Sequence, residues 1–236
     1  MVAFFPDVLD EFLTPSFLEH VREKFHYGET RKAEFQAVAE EMLPLMREEA
    51  FWEYKEFLLD GQQAEKDSVV YENVVMSLGK ALDDLQESYS NKGLLSESYI
   101  LEVLASEVLM RGYEAYSRYV KENTDWHVAK YHFPGSEEAF PIDMLPQLLQ
   151  KVTLQVTCND AFCMQPKKSV VFVAELTQDE NVYCKGICVG CHNLHCANRI
   201  TDDDPLKRRI TEMTDMPLTY GYSRIFGVSR REDCLR

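Results

Sequence analysis

The segment from Cys184 to Cys196 carries four cysteines, Cys184, Cys188, Cys191 and Cys196, in the spacing C-x3-C-x2-C-x4-C. Four thiolates so close in sequence can converge on one ion or cluster. Gly186 and Gly190 let the backbone curl so that the sulfurs point inward. Zinc would accept all four cysteines, or three of them with His192 or His195, in a closed tetrahedral site. An iron–sulfur cluster would be held by the four cysteines. The spacing leaves both open. The competing reading is of unliganded thiols in a turn, but exposed reactive cysteines are disfavoured unless used, so metal binding is the expectation. Cys158, Cys163 and Cys234 read as small buried or tail residues.

The sequence shows no export signal, and no window approaches the run of about 20 apolar residues that a bilayer requires. The expectation is therefore a cytoplasmic chain, without a membrane partner, whose seven cysteines are reduced thiols. Formal charge is −15, from 25 basic and 40 acidic residues spread along the chain. Phosphate backbones would be repelled, so nucleic acid is not an expected partner. There is no Gly-rich phosphate loop, nucleophile elbow or His-Glu-x-x-His pair, and no residue is assigned a catalytic role.

The elements that must position the cysteines read as mixed. The first 60 residues read as helices: Phe35, Val38, Ala39, Met42, Leu45 and Met46 repeat at helical spacing, and Pro44 should kink or restart that helix. Val69 to Val75 favours a strand, which Gly79 ends before a short helix carrying Leu82, Leu85 and Tyr89. Leu101, Leu104, Ala105, Val108, Gly112, Ala115, Tyr116 and Tyr119 share one helical face, and the small residues among them predict close packing on a neighbour. His127 to Phe133 looks extended, Pro134 and Gly135 turn the chain, and Asp143 could cap a helix reaching about Val152. Thr153 to Thr157 alternates like a half-buried strand, whereas Ser169 to Leu176 is apolar on both faces and reads as central.

The expected fold is a single α+β domain over 1–236, with the helix near 98 to 121 packed on a mainly antiparallel sheet containing 169 to 176. Within it, 1–65 would form a helical N-terminal part, 66–183 the core, and 184–236 the cysteine-rich segment and tail.

From about Ser68 to Arg199 the order of features resembles the activation (reactivation) domain of cobalamin-dependent methionine synthase, in particular the free-standing relatives of anaerobic bacteria. The matching features are the strand ending in Val74 to Gly79, the helix Ile100 to Tyr119 with Glu114, and Pro134-Gly135. The helix around Met144 to Lys151 follows, then Met164 to Ser169 before a Val-rich strand, and Cys188, Cys191, Cys196 and Arg199. The resemblance implies a curved α+β domain that binds S-adenosylmethionine in a shallow groove and docks over the corrin of a cobalamin-dependent methyltransferase or corrinoid protein. There it would assist reductive remethylation, with cobalamin present only through the partner and the electron coming from a separate donor. It also implies a ligand site bordered by Glu114, Tyr131, Pro134, Gly135 and Tyr183. Tyr131 stands where the family has an arginine, and Ser136 where it has a tyrosine. Those replacements remove a guanidinium fork and a stacking ring. Two alternatives follow: a non-enzymatic, metal-stabilised protein-interaction module that has lost the ligand site, or an iron–sulfur electron relay to a corrinoid protein.

Overall fold

Backbone groups of two long apolar segments, Val69–Ser77 and Ser169–Thr177, satisfy one another in a continuous antiparallel ladder running from Val69 opposite Thr177 to Ser77 opposite Ser169. The structure, a computed structural model, describes residues 2–56, 69–138, 140–182, 184 and 187. Its elements are β1 (Val2–Ala3), α1 (Pro6–Glu11), α2 (Pro15–Lys24), α3 (Lys32–Glu49), β2 (Phe51–Glu56), β3 (Val69–Ser77), α4 (Ala81–Asn91), α5 (Leu95–Asn123), β4 (His127–His132), α6 (Leu145–Val152), β5 (Thr157–Cys158), β6 (Met164–Gln165) and β7 (Ser169–Thr177). The main sheet has the order β1-β2-β3-β7-β4, with every neighbouring pair antiparallel, and β5 pairs separately with β6. The expected α+β class and the packing of the long helix on an antiparallel sheet are both present.

Alternation along the strands explains why both faces are apolar. Val74 and Met76 of β3 and Val170, Phe172 and Ala174 of β7 point to the layer formed by α1 to α5. Val75, Val171 and Val173 point to the other side, where α6 supplies Leu145, Leu148, Leu149 and Val152. The sheet is thus shared by two apolar clusters, and the central position expected for Ser169 to Leu176 follows from burial on both sides. In α5 the small residue Gly112 is where a Cβ would stand 3.0 Å from the Phe4 ring and 3.1 Å from Met76 Sδ, which accounts for the small-residue stripe.

Four local expectations are corrected. Within the first 60 residues, β1 and β2 are strands: Phe51 and Trp52 lie on opposite faces of the sheet edge, and the pairing with β3 outweighs local helical preference. Pro44 does not restart its helix, for α3 runs through it. Burial of Phe35, Val38, Ala39, Met42 and Met46 offsets a proline cost of about 3 kcal/mol. Thr153 to Val156 forms no strand, the short β5 beginning only at Thr157, and Leu154 is 86% exposed. Asp143 caps nothing; α6 starts after a 3-10 turn at Ile142–Met144, with Pro146 in its first turn.

Candidate functional site

One stripe of α5, made of Met110, Tyr113, Glu114, Ser117, Arg118 and Lys121 at spacings of three and four, forms the wall of an open groove of about 650 Å³. Tyr131 of β4 forms the opposite side, with Cys184 and Ile187 beyond it. Tyr131 reaches this face because of a β-bulge. The register of β4 on β7 shifts between Val128 and Lys130, so Val128 and Tyr131, three residues apart, both face α5. Without the extra residue they would point to opposite faces.

Tyr131 is 5% exposed, and its hydroxyl donates to the Tyr113 carbonyl oxygen at 3.1 Å. Its ring meets Phe172 edge-on with centroids 5.3 Å apart and Tyr113 edge-on at 5.8 Å. Burial, and after it the neighbouring Cys184, push the phenol well above its usual pKa, so it stays neutral. What Tyr131 offers a ligand is therefore a rigid aromatic edge. The charged rim comes from α5. Glu114 lies 3.9 Å from Arg111, Arg118 is ion-paired with Asp7 of α1, and Lys121 and Glu122 follow on the same face. Such a groove suits a small molecule that carries a flat ring together with both a cation and a carboxylate.

The structure brings Glu114 and Tyr131 to one groove, with Cys184 beside them. Pro134 and Gly135 are not among the residues lining it. They form a turn in which the Gly135 amide donates to the Phe140 carbonyl at 2.6 Å and the Ser136 hydroxyl donates to the Phe133 carbonyl at 2.7 Å. Gly135 has φ +81°, a conformation that favours glycine. Tyr183 lies outside the described residues, as do Cys188, Cys191 and Cys196. Of the four candidate metal ligands only Cys184 is described. It is not in a disulfide, and among the described residues no group of three or more His, Cys, Asp or Glu side chains is placed to hold an ion.

Cys163 corrects another expectation. Its sulfur is disulfide-bonded, so the seven cysteines are not all thiols. Pairing of sulfurs depends on the distance and direction of their Cβ atoms in the fold, which sequence separation does not convey.

Sequence reasoning missed two sets of residues. Arg118 and Lys121 stand at i+4 and i+7 from Glu114, a helical spacing that could have revealed them. The second set lies on the other face of the sheet, where His132 sits between Glu137 and Glu175 with Lys130 alongside. Glu175 joins that set only through the β4–β7 register, for which one sequence contains no local signal.

No protein-family model matches the chain, and no curated protein matches it. Among the described residues no helix is long and apolar enough to cross a membrane.

Proposed function

We propose that the groove between α5 and β4 binds S-adenosylmethionine, and that the chain acts as an activation-type partner of a cobalamin-dependent methyltransferase. The observation that carries this reading is that Glu114, where the family often has a carboxylate, and Tyr131, where it has an arginine, line one groove with Arg118 and Lys121. Glu114 supplies a negative charge for the sulfonium or amino group, and the two cations supply partners for the ligand carboxylate in place of the guanidinium missing at position 131. The edge of Tyr131 supplies the aromatic contact for the adenine. An open groove leaves the methyl group accessible to the partner's cobalt. The partner's corrinoid would supply the methyl acceptor, and a separate electron donor would supply the electron that readies it.

Calorimetry at high protein concentration, paired with thermal unfolding, tests the reading. Ligand at 100 times its dissociation constant should add about 2.7 kcal/mol of stability. Glu114→Gln and Arg118→Met should each weaken binding by about tenfold, the loss of one charge-assisted contact. Absence of both heat and thermal protection overturns it.

One observation favours the second reading, a non-enzymatic interaction module. The Pro134–Ser136 turn spends its polar groups on its own backbone instead of lining the groove. Under that reading the groove binds no adenosyl compound, and the same calorimetry distinguishes the two.

A further inference from the structure

His132, the last residue of β4, is 7% exposed, and each of its ring nitrogens faces a carboxylate. Nδ1 lies 3.0 Å from Glu137 Oε1, and Nε2 lies 3.1 Å from Glu175 Oε2. A carboxylate only accepts hydrogen bonds, so both contacts are hydrogen bonds only when the ring carries a proton on each nitrogen. A neutral ring donates once, and its remaining lone pair then faces a carboxylate oxygen.

Both carboxylates facing the ring are held below the usual carboxylate range. Glu175 is held below the usual carboxylate range, first by its hydrogen bond with His132 and further by the charges of His132 and Lys130 and a bond from Tyr71, against burial. Burial pushes Glu137 the other way, but its bond from Lys130 and the His132 charge keep it below that range as well. The titratable and charged groups around the ring are therefore Lys130 from β4, Glu137 from the following loop, Glu175 from β7 and Tyr71 from β3. On the same face α6 presents the apolar Leu148, Leu149 and Val152. Phe140 stacks on the imidazole at 4.7 Å and 25°.

Glu137 and Phe140 both belong to the loop 133–140 and are bridged to each other, whereas Glu175 belongs to the sheet. The ring thus joins loop and sheet through one proton on each side. We infer that His132 is a proton-operated latch: doubly protonated it clamps the 133–140 loop to β7, and loss of the Nδ1 proton removes its bond to Glu137, leaving the loop only the Lys130–Glu137 pair. The latch stands apart from the groove, because His132 is opposite Val173 on the α6 side while Tyr131 is opposite Ala174 on the α5 side. It holds whatever the groove binds.

Hydrogen exchange of the loop amides that are bonded in this structure, Gly135, Ser136 and Phe140, tests it once corrected for the intrinsic pH dependence of exchange. Along a pH series their protection should fall about tenfold as pH rises and the ring loses its Nδ1 proton, while amides of β7 and α5 stay protected. Long-range proton–nitrogen correlation spectra should show both His132 nitrogens protonated at the acid end and one at the alkaline end. His132→Gln and Glu137→Gln should abolish the step and leave the loop at its less protected level throughout. Glu138→Gln, on the same loop and exposed, should keep the step. Glu137→Gln carries the test alone if His132→Gln fails to fold. A ring in one neutral tautomer over the whole range, or loop protection that does not change with pH, overturns the latch.

Discussion

The Tyr116 hydroxyl of α5 donates a 2.6 Å hydrogen bond to Glu72 Oε2 of β3, tying the long helix to the sheet. Glu72 faces the α-helical layer, and its burial lifts its carboxyl above the usual range while the Tyr116 bond pulls it back. A carboxyl whose folded pKa is raised contributes stability that is full below the unfolded value, near 4.5, and lost as pH rises through the folded value. Tyr116→Phe removes the opposing bond, so the lift grows and the loss at neutral pH deepens. Urea unfolding should show the variant less stable by about 1–2 kcal/mol at neutral pH, with a smaller gap in acid. Equal destabilisation at both pH values would show that the bond does not act through the Glu72 charge.

Lys168, just before β7, is buried and places its Nζ 2.6 Å from Glu102 Oε2 and 3.1 Å from Gln86 Oε1. Gln86 Nε2 donates to the same Glu102 oxygen at 2.9 Å, closing a triangle between α4, α5 and the β6–β7 connection. Burial opposes ionisation of Glu102, but the Lys168 charge and hydrogen bond keep it below the usual carboxylate range. Its stabilising contribution is therefore present above the unfolded value of about 4.5 and is lost as pH falls through the folded one. Lys168→Met leaves the carboxylate without its cation and should cost about 2–3 kcal/mol, or about 5–10 °C in Tm. Adding Glu102→Gln to that variant should restore part of the loss, because the unpaired charge is then gone. A double variant no more stable than the single would sink the account.

Gly79 has φ +89°, and a Cβ there would stand 2.3 Å from Glu49 Cβ at the end of α3. Gly93 has φ +74°, with nothing within 4 Å of the Cβ position. Gly93→Ala should therefore cost only the left-handed backbone term, about 1 kcal/mol. Gly79→Ala adds a clash and should cost about 3 kcal/mol. It should also disturb the bond by which Glu49 Oε2 accepts the Ala81 amide at 2.7 Å, loosening the start of α4. Comparable melting temperatures for the two variants would contradict this.

The cysteine segment is expected to hold one metal centre. Protein purified without oxygen should carry either stoichiometric zinc without colour, or iron with absorbance near about 400 nm that bleaches on reduction. Cys191→Ser should remove the metal, and chelation should lower the thermal stability of the native chain, because ligand binding to the folded form contributes to folding. Metal-free protein of unchanged stability would mark the segment as a cysteine-rich turn.

The strands β3, β4 and β7 and the helices α3, α4 and α5 were legible because their apolar residues repeat at the period their packing requires. That period is local and survives in one sequence. It failed where tertiary contacts outweighed local preference, at Pro44 inside α3 and in the aromatic strand β2, and over 153–156, where no strand forms. The candidate ligand positions divided in the same way. Glu114 and Tyr131 could be named through the family resemblance, but their meeting in one groove depends on the bulge in β4.

By itself the sequence determined the α+β class, the central position of β7, the long helix and the clustering of cysteines after Tyr183. Only the tertiary structure decided that Tyr131, and not His132, faces α5. It alone set Arg118 and Lys121 beside Tyr131 and brought Glu175 to the His132 ring. Periodicity encodes which face of an element is buried; strand register and bulges, set by pairing with distant segments, decide which side chains meet there.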